Sequence, residues 1–273
     1  MEPACLNCNT VLTERSKFCP QCGQKTNLPR LSLLDIIHDG MHYFIHADKS
    51  ILHLFKALVV KNGSVPREYI SGKRKSYFPP LNFFLVVATI FVLIVSAFYV
   101  PAAPANIAAA HPELNKIPDP VHRASVTRIY ERRDTAVRFV NKYSNILSMI
   151  AVPLICLVFW LCYYKGRYNY TEHLVACMYM IAFTNLVYAV IFVPAAAFFG
   201  KIAGTTSNVF LMMFMFFQVT YYTIFYYRFI NNTSRLFFFK ALGVSVFASA
   251  FWFVLTWFLI RAYISGGFWG LVK

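Results

Sequence analysis

Four cysteines open the chain in two pairs, Cys5-x-x-Cys8 and Cys19-x-x-Cys22. Each C-x-x-C turn can present two thiolates to one ion, so together they supply the four sulfur donors of a tetrahedral site, which favours zinc over iron. Gly23, directly after the second pair in FCPQCGQ, is expected to relieve the backbone as it turns beneath the metal. With every position filled by protein the site is structural, with no opening for catalysis. A ribbon of this size cannot bury a core of its own, so the metal must supply folding energy. The competing reading, two disulfides, requires an oxidising compartment. Cys156, Cys162 and Cys177 fall singly inside apolar runs and read as packing residues.

A second chemistry is written in REYISGKRKSYFPP, residues 67–80. Arg67, Lys73, Arg74 and Lys75, with Tyr77 at the same level, crowd against an apolar run long enough to cross a bilayer. Forked guanidinium groups and ammonium point charges suit a phosphate headgroup, and Gly72 would let the backbone approach it. The companion motif is YTEH, which puts Glu172 and His173 as polar partners at the mouth of a later apolar run. A carboxylate at the edge of hydrocarbon needs a cation. Lys73 and Arg74 are the expected ones, leaving Arg67 and Lys75 to an anionic headgroup.

Histidines provide a third candidate. After Pro29, LSLLDIIHDGMHYFIHAD has Ser32 and Asp35 as a capping pair and reads as an amphipathic helix with His38, His42 and His46 four residues apart. Such spacing can chelate a second metal, whereas imidazoles on the edge of an apolar face also suit the boundary between headgroups and water. With Glu172 they would form the site of a membrane metalloenzyme. No Walker loop, nucleophile elbow or zincin helix is present, so the enzyme is the weaker reading.

These groups must be positioned by a membrane fold. Apolar residues make up 58% of the 273 positions and charged residues only 14%, a surplus that must face lipid. Runs of about 20 apolar residues recur at 81–100, 144–164, 173–199, 209–227 and 241–260, which predicts an all-α membrane protein with about five transmembrane helices. The expected organisation is a zinc ribbon over 1–28, cytoplasmic amphipathic helices and the basic juxtamembrane motif over 29–80, and a helical bundle over 81–273 with an outer segment at 101–143. Within that segment VTRIYERRDTAVRFVNKY reads as an amphipathic helix lying on the membrane. Basic residues in the loops at 164–172 and 228–240 are expected to keep both in the cytoplasm, with the N-terminus inside and the C-terminus outside. The opening MEPACLNC lacks the pattern of a signal peptide, so the first span is expected to serve as the insertion signal. Asn185 and Gln218 fall mid-span and are expected to face the bundle and bond each other. Ala241, Ser245 and Ser249 form a small-residue stripe, and Pro153 and Pro194 should kink their helices.

The four cysteines, EYISGKRKSYFPP before the first span and YTEH at the third together resemble the bacterial membrane family known as Domain of Unknown Function 3667. The resemblance implies a multi-pass cytoplasmic-membrane protein with an N-terminal zinc ribbon, and no assigned activity. Where Pro-Gly would be expected ahead of the basic motif, this chain has Asn62 and Gly63, which should still end a helix. The net charge of +15 is better matched by anionic lipid than by nucleic acid, since the ribbon has few cations and no base-reading element. The sequence therefore reads as a non-enzymatic membrane protein that binds an anionic lipid headgroup, or recruits a protein partner, at its cytoplasmic face. A lipid or small-solute transporter is the alternative, although no carboxylate lies mid-span to relay protons.

Overall fold

A computed structural model of the chain describes residues 4–13, 16–28, 30–37, 50–98, 111–203 and 207–265. Helices dominate, and the described residues form no strand beyond two isolated antiparallel bridges, Ala4 with Val11 and Phe18 with Lys25. Two short helices, α1 (Ser50–Val60) and α2 (Ser64–Ile70), precede the long α3 (Pro80–Phe98). A 3₁₀ turn (Pro112–Lys116) leads to α4 (Pro120–Lys142), α5 (Ser144–Cys162) and α6 (Tyr170–Val187). A π turn (Tyr188–Phe192) joins α6 to α7 (Val193–Ala203), followed by α8 (Ser207–Ile230) and α9 (Arg235–Ile264).

Among the described residues four helices are long and apolar enough to cross a membrane: Pro80–Phe98, Tyr170–Phe199, Val209–Ile230 and Arg235–Ile264. The remaining expected span forms α5, whose apolar stretch Ile146–Cys162 is the shortest of the five. It packs between α6 and α9. The spans at Tyr170 and Arg235 begin earlier than hydropathy suggests because each helix continues through its polar juxtamembrane turn. Asn169 caps α6 by accepting from the Glu172 N–H at 2.8 Å, while the Glu172 carboxylate accepts from the Asn169 N–H at 2.8 Å. Those reciprocal bonds satisfy two amides that the helix start would otherwise orphan.

α6 is the central element. It begins the continuous span Tyr170–Phe199, whose most apolar window is 67% buried, against 22% to 28% for the other three long spans. A helix apolar all round must be surrounded, and α3, α5 and α8 do this. The buried ring of Tyr179 on α6 donates its hydroxyl to the Phe78 carbonyl at 2.6 Å, tying the helix to the segment that enters α3. Pro194 has no N–H to offer the preceding turn, and the π turn absorbs the defect, with the Val193 N–H reaching back to the Tyr188 carbonyl. The small stripe on α9 is buried at Ala241, Ser245 and Ser249, letting that helix approach α8 closely. The expected amide pair is not formed. Gln218 instead donates to the Tyr222 hydroxyl one turn along its own helix, at 3.0 Å.

Asn62 ends α1 in the left-handed conformation, φ 52°, with its N–H bonded to the Ala57 carbonyl. Gly63 then lies against α8 so closely that a Cβ would overlap the Phe225 carbonyl, which is why the α1–α2 corner can seat on that helix. α4 begins earlier than its amphipathic core suggests. Asp119 accepts from the Val121 and His122 N–H groups, and the helix packs against α5 and α9.

Candidate functional site

The cysteine pairs fold as two matching turns. In the first, the Cys5 N–H bonds the Thr10 carbonyl and the Asn9 N–H bonds the Cys5 carbonyl, both at 2.9 Å. In the second, Cys19 with Gln24 and Gly23 with Cys19 repeat the pattern at 2.8 and 2.9 Å. Gly23 sits at φ 69° as expected, and Asn9 at φ 59° performs the same turn in the other copy, asparagine being among the few residues that tolerate it. The turns face each other and bring the Cys5, Cys8, Cys19 and Cys22 sulfurs within 4.8 Å of one another. Cys8 and Cys19 are 3.5 Å apart and Cys5 and Cys22 3.7 Å, with no disulfide. Metal–sulfur bonds of about 2.3 Å in a tetrahedron imply sulfurs about 3.8 Å apart, so the four cysteines fit a metal ion. A hydrogen bond with Thr10 lowers the Cys8 thiol pKa, while burial raises that of Cys22.

The ribbon seats on the basic motif. Asn7, inside the first C-x-x-C, accepts from both the Ser76 N–H (3.1 Å) and the Ser76 hydroxyl (2.7 Å). The buried Gln24 carboxamide donates to the Gly72 carbonyl and accepts from the Lys75 N–H at 3.2 Å. Gly72 has φ 119°, and a Cβ there would stand 2.7 Å from Leu6 of the ribbon. Glycine at this position therefore serves the fit of protein on protein. Backbone groups of 72–76 that the sequence offered to a ligand are held by ribbon amides.

Glu68 organises the cations on the other side of the loop. Its carboxylate accepts from Lys73 Nζ (3.3 Å) and the Tyr77 hydroxyl (2.9 Å), with Lys61 Nζ at 3.8 Å. Burial pushes its pKa up, but the bonds from Tyr77 and Lys73 and the charge of Lys61 outweigh that, leaving the carboxyl below its ordinary range. Tyr77, expected beside the headgroup cations, is buried with its ring stacked on His53, so it positions Glu68 rather than facing a ligand. Arg67 donates to the Arg228 carbonyl at 3.1 Å, and Arg228 to the Val60 carbonyl at 2.9 Å, joining α1, α2 and α8 through helix-end carbonyls.

Glu172 does not pair with Lys73 or Arg74 as expected. Arg30, just after the ribbon, holds it through two parallel bonds, Nε to Oε1 at 2.9 Å and Nη2 to Oε2 at 2.8 Å. Arg30 also donates to the Arg167 carbonyl at 3.1 Å. A residue 142 positions away leaves no local pattern for sequence reasoning to find. His173, expected at the interface with Glu172, is fully buried, stacked beside Tyr226 and Tyr163 with Nδ1 3.4 Å from the Tyr226 hydroxyl. His38, His42 and His46 lie outside the described residues. Cys156 and Cys177 are buried, Cys162 half-buried, all three free thiols.

The starts of α3, α6 and α9 and the ends of α5 and α8 thus gather on one face, which carries the ribbon. Lys240 on α9 caps it by lying over the Tyr163 ring, 4.8 Å from the centroid. A family model described as "Protein of unknown function (DUF3667)" matches residues 48–92, the stretch containing α1, α2, the basic loop and most of α3. No curated protein and no solved structure matches the chain. The family match, the cluster of four cysteines and the apolar helices together fit a DUF3667 multi-pass membrane protein with an N-terminal cysteine cluster.

Proposed function

We propose that this is a non-enzymatic protein of a bacterial cytoplasmic membrane, in which a zinc ribbon braces a cationic face that binds anionic lipid headgroups. One observation carries the reading. The loop bearing Lys73, Arg74 and Lys75 is fixed from behind by Asn7 and Gln24, so its cations are presented by a rigid backbone at the level where α3 enters the apolar layer. Among the described residues Asp35, Glu68 and Glu172 stand against Arg30, Lys61, Arg67, Lys73, Arg74, Lys75 and Arg228, leaving an excess of positive charge. That excess supports a cytoplasmic setting, by the rule that basic loops stay inside and by the attraction of an anionic leaflet. On this reading the N-terminus lies inside and, with α5 counted as a span, the C-terminus outside.

The test is lipid selectivity of the full chain in nanodiscs that mix phosphatidylglycerol with phosphatidylcholine, read by spin-labelled analogues of each. The wild type should prefer phosphatidylglycerol, less so at high salt. Lys73→Gln with Lys75→Gln should weaken that preference by about fivefold per residue, from about 1 kcal/mol for each cation near an anionic surface. Selectivity unchanged by the double substitution would sink the lipid reading and leave a protein partner as the ligand of this face.

A further inference from the structure

At the opposite end of the bundle α4, α5 and α9 line a half-open cavity of about 510 Å³. Ala136 and Phe139 of α4, Leu147 and Leu154 of α5, and Trp252 and Ile260 of α9 line it. Three lining residues carry hydroxyls: Thr135 donates to the Glu131 carbonyl and Thr256 to the Trp252 carbonyl within their own helices, each at 2.8 Å, and Tyr263 stands at the end of α9. The walls are therefore almost wholly apolar, the Trp252 indole N–H and the Tyr263 hydroxyl being the other polar side-chain groups among the lining residues. A cavity of this kind repels water and polar solutes and accepts hydrocarbon. On α9 the lining extends from Trp252 to Tyr263, about 16 Å along the helix, a long slot rather than a sphere.

One end of the slot is cationic. Arg132 and Arg128 lie one and two turns before Ala136 and so share its side of α4. Both are exposed, and Arg132 reaches the Ile264 carbonyl at 3.4 Å, at the end of α9 just beyond Ile260 and Tyr263. Of the two carboxylates on α4, Asp134 is paired with Arg138 at 2.7 Å, which leaves Glu131 against several arginines. A dry slot with a positive end matches an amphiphile with an apolar tail and an anionic head. We propose that the cavity holds one acyl chain of an anionic lipid, its headgroup gripped by Arg128 and Arg132. This site is separate from the ribbon face, since it lies where α9 ends and α5 begins.

The full chain in detergent, titrated with phosphatidylglycerol or with phosphatidylcholine of the same chains, tests this by native mass spectrometry. Wild type should retain one phosphatidylglycerol more tightly than any further copy. Ala136→Phe with Thr256→Phe should abolish that first binding step for either lipid. Arg128→Gln with Arg132→Gln should weaken it about fivefold for each arginine, while Arg261→Gln, outside the lining, leaves it intact. A filled cavity that still retains the lipid, or equal retention of both lipids by the wild type, overturns the proposal. Should the filled variant fail to fold, a phosphatidylglycerol with a photoactivatable chain gives the answer on wild type: crosslinks within 147–154 or 252–263 support the site, and crosslinks elsewhere refute it. Loss of the Lys73 and Lys75 charges should leave this step unchanged, so the two lipid readings fail independently.

Discussion

Arg30 and Glu172 meet through two parallel hydrogen bonds, with the arginine side chain 59% exposed and the carboxylate only 6%. The asymmetry makes the carboxylate the vulnerable partner, because a buried charge left alone costs more than an exposed one. The same carboxylate caps α6, so the pair fastens the segment after the ribbon to the first turn of the central helix. In a double-mutant cycle read by thermal unfolding, Arg30→Ala and Glu172→Gln should be strongly non-additive, whereas Lys73→Gln and Glu172→Gln should add. Arg30→Lys should recover only part of the coupling, since lysine cannot supply the planar fork. Additivity in the Arg30 cycle would show that the bond contributes nothing.

Metal removal should loosen the basic loop at a distance. Structural zinc supplies about 10–16 kcal/mol in small sulfur-ligated domains, far more than a ribbon with a three-cysteine-and-leucine interior can replace. Chelation, or Cys19→Ser, should therefore release Asn7 and Gln24 from residues 72–76. The expected signature is trypsin cleavage after Lys73, Arg74 or Lys75, faster by at least about tenfold if the loop goes from held to open more than 90% of the time. Metal analysis of the purified protein should find one ion per chain, expected to be zinc.

Backbone sign can be tested at two positions. Gly72→Ala meets both a positive φ and Leu6, and should cost about 1–3 kcal/mol in unfolding free energy. Asn9→Gly should be within a few tenths of a kcal/mol of wild type, or stabilising, while Asn9→Ala should cost about 1–2 kcal/mol. Equal effects of glycine and alanine at position 9 would show that the left-handed turn is not what asparagine supplies there.

What was legible in the sequence was periodic or local. The C-x-x-C spacing announced four converging thiols, and hydropathy announced the long helices, because lipid imposes a length that any reader can count. Asn9 was legible in principle, standing after Cys8 as Gly23 stands after Cys22, but asparagine has many uses and glycine few. The partners of charged groups were not legible. Glu172 has Arg30 as its cation, and Lys73 has Glu68, five residues before it, which the notion of a cationic cluster facing a ligand obscured. Nor did composition reveal that Gly72 admits Leu6 instead of a ligand, or that Gln24 closes the loop from behind. Those contacts arise when the ribbon docks, and docking has no period. Gln218 shows the same limit inside the membrane, where an amide needs a partner but nothing in the pattern says whether it lies across the bundle or one turn away.

The Glu68 cluster predicts how stability responds to acid. Its carboxyl sits below the ordinary carboxylate pKa in the folded protein, so near that pKa the unfolded chain binds more protons than the folded one. The stabilisation is accordingly complete above the ordinary value of about 4.3 and is lost as pH falls through the depressed folded value. Acid also strips metal from thiolates, so the melting temperature of the wild type alone would mix two effects. Subtracting the profile of Glu68→Gln cancels the metal contribution, because both proteins share the same ribbon. The difference should be constant and in favour of the wild type from pH 5 to 7, then shrink toward zero below pH 4. Tyr77→Phe should reduce the difference without removing it, since Lys73 and Lys61 remain to hold the carboxylate. A difference that grows on acidification would mean that Glu68 is held in its protonated form, and the ion cluster would then not be what orders the loop.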